Sequence, residues 1–170
     1  MKRKSFTLFL CAVILCGAVC LTSCSQKSAT AQSVLYAMMT AEIGLPSGNV
    51  YLSDAPEGDN GYTSDSLLAA LYGDGSAPVE SGEWLEFAIF LSGAKHPCEF
   101  GVFLCESAQS ASDTGKMLCR RLDILKTAWS GTEYSSYVDN ASVCVSGNFC
   151  ILIISSDASS ARKAAMTLIG

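Results

Sequence analysis

The chain holds a single histidine, His96, and only eleven lysines and arginines against sixteen acids in 170 residues. One histidine excludes a HExxH metal site, and no GxSxG, Walker, Rossmann-glycine or complete EF-hand pattern is present. No CxxC occurs, so a thioredoxin-like site has no support, and without CxxCH covalent haem has none either. The shortage of positive charge argues against nucleic acid as a partner and against a polybasic membrane face. No catalytic residue, metal site or cofactor is therefore expected.

What is present is concentrated at the start, MKRKSFTLFLCAVILCGAVCLTSCSQ. Lys2, Arg3 and Lys4 precede Phe6 to Leu21, a run of sixteen residues without charge. That order is a secretory signal layout. As a helix the run rises about 24 Å, short of a roughly 30 Å hydrocarbon core, so a cleaved signal suits it better than a permanent span. Leu21-Thr22-Ser23-Cys24 resembles the lipobox of bacterial lipoproteins: an aliphatic residue, two small or short ones, then cysteine. Cys20 fits less well, because Val19 stands where that motif has Gly, Ala or Ser. The resemblance implies cleavage before Cys24 and a diacylglycerol on its sulfur. Two or more acyl chains hold a protein stably on a bilayer, at about 0.8 kcal/mol per buried CH2. The expected organisation is a signal peptide over 1–23, a lipidated tether over 24–33 and one α/β domain over 34–170. The expected location is the cell membrane, lipid-anchored on the extracytoplasmic face.

Cleavage would leave 147 residues, enough for one domain with a substantial core. It would also remove Lys2, Arg3 and Lys4 but no acid, leaving a formal charge near −8. Eleven acids lie between Glu42 and Glu106, where Lys95 is the only lysine or arginine. A solvated acidic face is the plain reading, and the loosely spaced Asp54, Glu57 and Asp59 read as a solvated loop.

Of nine cysteines, Cys98, Cys105, Cys119, Cys144 and Cys150 fall in the expected domain. Five is odd, so at least one cannot pair within the chain. Most sit in apolar stretches and suit small buried hydrophobes. Cys144 and Cys150 are a candidate disulfide. A three-residue loop at Ser146-Gly147-Asn148 would set them opposite each other; a two-residue loop at Gly147-Asn148 would set them on opposite faces.

Apolar periodicity predicts a helix near Gln32–Met39, a long loop with a short edge strand at Val50–Leu52, and a helix over Ser64–Tyr72 capped by Thr63. A turn region with Pro78 follows over Asp74–Gly82. Strands are expected over Glu83–Leu91 and Phe100–Cys105. Between them and the next strands runs a helix to about Ala128, capped at Ser110. An irregular connector over Trp129–Asn140, a hairpin over Ala141–Ile154 and a final helix capped near Asp157 complete the pattern. In that helix Ala161, Ala164, Ala165 and Leu168 are expected to face inward. The C-terminal half is thus β-β-α-β-β-α. The expected fold class is α/β (α+β), a two-layer sandwich of about four mainly antiparallel strands with helices on one face.

The stretches SLLAALYG from Ser66, CEFGVFLCES from Cys98, LCRRLDILK from Leu118 and NASVCVSGNFCILIIS from Asn140 resemble a family of small lipoproteins from Clostridia and related Gram-positive anaerobes, known as a domain of unknown function. The likeness spans roughly Gln32 to Gly170. It implies the export route and a Gram-positive host, and no activity or catalytic residue. Cys98 departs from the small apolar residue expected there.

Candidate binding residues are few. Arg120 and Arg121 could dock an anion or a partner carboxylate, although one of them reads as an ion-pair partner of Asp123 or Glu106. Tyr134 and Tyr137 could form an aromatic recognition surface or close the end of the core. His96, in a turn rich in Gly, Lys and Pro, reads as a surface histidine rather than a base for Cys98 or a zinc ligand. The expected function is a non-catalytic domain binding a protein or small-molecule partner. The alternative is a thiol-dependent enzyme or redox protein of the cell envelope.

Overall fold

A computed structural model describes residues 28–73 and 84–170. The signal segment, Cys24 and the turn around Pro78 lie outside the described residues.

Helix α1 (Ala31–Ala41) starts at a capping box, in which the Thr30 hydroxyl accepts from Ser33 N–H and the Ser33 hydroxyl accepts from Thr30 N–H. The helix thus begins inside the stretch assigned to the tether. Ala31, Val34, Leu35 and Met38 bury one stripe, and Ala31 N–H donates to Glu86 Oε2 at 2.9 Å. Strand β1 (Gly48–Leu52) follows, then α2 (Asp65–Tyr72), whose cap is Ser64 rather than the expected Thr63. Strands β2 (Trp84–Ser92) and β3 (Glu99–Cys105) lead into the long α3 (Ala108–Trp129). Its cap is Ser107, not Ser110; Ser110 is buried one turn inside. The connector forms a short helix α4 (Ser135–Asp139). Strands β4 (Ser142–Ser146) and β5 (Phe149–Ile154) precede α5 (Ala158–Ile169), capped by Asp157.

The strands form one five-stranded sheet in the order β1-β2-β3-β5-β4, antiparallel at every seam. The expected α+β class and antiparallel sheet are present, with the edge strand at Val50–Leu52 as the fifth member. Helices, however, lie on both faces. Because strand side chains alternate, Ile89, Phe103, Cys150 and Leu152 point to Leu118, Leu122 and Leu125 of α3, while Phe90, Phe100, Val102, Ile151 and Ile153 point to α1 and α5. Strands β3 and β5 are apolar in both registers, which is what a doubly covered sheet needs.

A β-bulge lies between Trp84 and Glu86. The extra residue shifts the alternation, so Trp84 joins Phe87 and Phe103 on the α3 face and Leu85 is left 58% exposed. At the C-terminus Ala161 and Ala165 are fully buried, letting α5 approach closely, while Leu168 is 46% exposed and does not face inward. Glu42, at the end of α1, accepts from the Ser156 N–H at the start of α5, so the two helices are also tied by a carboxylate near a helix N-terminus.

The β4–β5 turn has two residues, Gly147 and Asn148, between the paired Ser146 and Phe149. Gly147 has φ of 55°, the left-handed region such turns require. This register pairs Cys144 with Ile151 and Cys150 with Val145, so the two cysteines lie on opposite faces. Both are free thiols, and the candidate Cys144–Cys150 disulfide is absent.

Candidate functional site

Glu99 opens β3 and is almost fully enclosed. A carboxylate there must be paired or neutral. It is paired: Arg121 Nη2 lies 2.8 Å from Oε2, and Arg121 Nε lies 3.2 Å from the same oxygen. Tyr72 OH, from the end of α2, donates to Oε1 at 3.1 Å. Three elements therefore converge on one carboxylate. Burial, then the Glu99 charge, raise the Tyr72 pKa well above the usual phenol range. For Arg121, burial pulls down, but the Glu99 charge and hydrogen bonds outweigh it and the net direction is up. The side chains are 16% exposed for Arg121 and 3% for Glu99.

The exposed fraction of Arg121 borders a cleft of about 240 Å³ at this end of the sheet. The β2–β3 turn, Ser92 to Cys98, forms one wall; Leu125 and Trp129 of α3 and Leu71 of α2 form the other. Its volume falls just under the roughly 300–1,000 Å³ of drug-sized sites, so it fits a small group or a single side chain.

His96 lines the cleft and is held in one orientation. Its Nδ1 accepts the Cys98 N–H at 3.1 Å. Its ring packs on Tyr134 at 4.6 Å and edge-on to Tyr137 at 4.9 Å between centroids. Burial lowers its pKa, and an accepting Nδ1 belongs to the neutral ring. With Nδ1 accepting, the proton sits on Nε2. Trp129 joins the same aromatic group, edge-on to Tyr134 at 5.9 Å.

The sequence candidates thus divide. Arg121 lines this cleft; Tyr134 and Tyr137 do not line it but pack behind it on the His96 ring, and Arg120 is exposed on α3 and lines no part of it. The ion-pair partner of Arg121 is Glu99, not Asp123 or Glu106. His96 is part of an aromatic cluster rather than a free surface ring. Two residues escaped notice, Glu99 and Trp129. For Glu99 the signal was available: a lone acid at the head of an apolar strand requires a buried cation.

Among the described residues no group of three or more His, Cys, Asp or Glu could hold a metal ion, and no helix is long and apolar enough to cross a membrane. Of the five described cysteines four are buried and Cys119 is exposed. Burial pushes Cys98 up to about 12, with the Glu42 and Glu99 charges adding to it. Cys150 is likewise pushed up to about 12, by burial first and then by neighbouring thiols. Both shifts oppose the thiolate a nucleophile needs.

No family model, no curated protein and no solved structure matches this chain.

Proposed function

We propose that the chain is an extracytoplasmic lipoprotein, anchored through lipid on Cys24, whose domain binds a small ligand or a projecting side chain in the cleft between the β2–β3 turn and α3. The lipobox-like residues before Cys24 support the anchor. One observation carries the binding role. Arg121 and His96 line the cleft, and among the described residues Arg121 Nη1 and His96 Nε2 have no hydrogen-bond partner, while Arg121 Nε and Nη2 and His96 Nδ1 are engaged. Both free groups are donors, so the ligand presents an acceptor, a carbonyl or carboxylate oxygen. Leu125 and Trp129 cover its apolar part. Glu99 and Arg121 are locked to each other, and among the described residues the one thiol lining the space, Cys98, is held protonated by burial, so the arrangement suits holding a ligand rather than transforming it.

A thermal-shift screen of the full chain against free amino acids, short peptides and small carboxylic acids tests this reading. At least one class is expected to raise the midpoint for the unaltered protein and not for His96→Ala or Trp129→Ala. Absence of a shift with every class, or equal shifts in both variants, contradicts it.

A further inference from the structure

The sheet ends on β4, and this edge lacks the usual guards. Edge strands are normally protected by charges, proline, bulges or a covering segment. The opposite edge has such cover: Leu52 N–H donates to Gly61 O at 3.0 Å, and Leu52 bridges Tyr62. Strand β4 reads Ser142-Val143-Cys144-Val145-Ser146, with no charge, no proline and no bulge against β5.

Backbone polarity follows from the turn. A two-residue hairpin closes on a hydrogen-bonded pair, here Ser146 with Phe149. Alternation then commits the N–H and C=O of Ser146, Cys144 and Ser142 to β5. Those of Val143 and Val145 point outward, and among the described residues they have no partner.

The five residues also read the same in both directions. In an antiparallel pair with a twofold axis at Cys144, each residue meets its own kind: Ser142 faces Ser146 of the other copy, Val143 faces Val145, and Cys144 faces Cys144. This register aligns the outward groups as well. Val143 and Val145 form the hydrogen-bonded pairs, and Cys144 falls on the non-hydrogen-bonded site, where side chains come closest. An isologous interface needs such self-complementarity. The seam brings no like charges together, despite the acidic balance of the chain. We propose that β4 is a self-association edge, through which two copies of this chain join their sheets into one continuous ten-stranded sheet.

The test uses the full chain in membranes of a bacterial host, with copper phenanthroline as the oxidant that joins thiols already in contact. A product of twice the mass, reversed by reductant, is expected from the unaltered chain. It should disappear in Cys144→Ser and persist in Cys119→Ser, which removes the exposed thiol. Val145→Pro deletes an outward N–H but no bond to β5, and Val145→Lys places a charge at a position already 49% exposed. Each should lower the cross-linked fraction at least tenfold with the circular dichroism spectrum retained. The proposal is overturned if the unaltered chain gives no product, if the product survives Cys144→Ser, or if a folded Val145 variant cross-links undiminished.

Discussion

Replacing Arg121 with methionine tests the ion pair at the base of the cleft. The substitution keeps most of the side-chain volume and removes the cation, leaving Glu99 buried beside Tyr72 alone. Breaking one partner of a buried pair costs about 3–5 kcal/mol, because the remaining charge is uncompensated. For a domain of this size that corresponds to a midpoint lowered by roughly 10–15 °C. The double variant Glu99→Gln with Arg121→Met removes both charges and keeps an acceptor for Tyr72 OH. It should cost only about 1–2 kcal/mol. The single variant also carries a pH signature. An unpaired buried carboxylate has its folded pKa raised above the unfolded value of about 4.3, so the folded state binds the extra proton. Stability is then present below that unfolded value and is lost as pH rises through the folded one. The deficit of Arg121→Met should therefore be largest at pH 7 and shrink toward pH 4. Urea titrations at both pH values, followed by tryptophan fluorescence, measure this. A deficit under about 1 kcal/mol, or one that does not change with pH, would refute the burial argument.

Other outcomes follow from particular residues. With Ellman's reagent on the folded protein, Cys119 should be the fast-reacting thiol, Cys119→Ser should abolish that phase, and the buried Cys98, Cys105 and Cys150 should react only on unfolding. Rapid reaction at Cys98 or Cys150 would revive the thiol-enzyme alternative. The His96 ring should titrate below its usual value in an NMR series, because burial disfavours the cation. Its folded pKa is depressed, so the unfolded chain takes the proton first and stability declines as pH falls below about 6.5; His96→Gln should flatten that slope. At Gly48 a Cβ would lie 2.3 Å from the Leu91 carbonyl oxygen, so Gly48→Ala should displace β1, at roughly 1–3 kcal/mol, with faster amide exchange confined to that edge.

Long periodic segments were legible because burial imposes their pattern directly. The stripe Met117, Leu118, Leu122 and Leu125 faces the sheet as its spacing predicts. The fully apolar β5 lies inside the sheet, between β3 and β4, as a run without polar residues requires. Boundaries failed where two hydroxyls compete for one role: Ser64 beside Thr63, and Ser107 one turn before Ser110. The exposure of Leu85 was not legible, because a bulge leaves no mark on alternation until the partner strand is known. The second helical layer was hidden for a related reason. An α1 with only modest amphipathicity gives no sign of which sheet face it covers, whereas the two-sided apolarity of β3 did imply cover on both. At the site, Arg121, Tyr134 and Tyr137 were visible as residue types, but their meeting with His96 and Trp129 depends on the β2–β3 turn folding back toward the end of α3. That is a long-range contact, and no local spacing encodes it.

The proposed role depends first on where the domain works. Intact-mass analysis of the protein extracted from membranes of a Gram-positive host tests that directly. Loss of residues 1–23 and a diacylglyceryl group on Cys24 as the new N-terminus are expected. Retention of residues 1–23, or an unmodified Cys24, would contradict the proposed anchor.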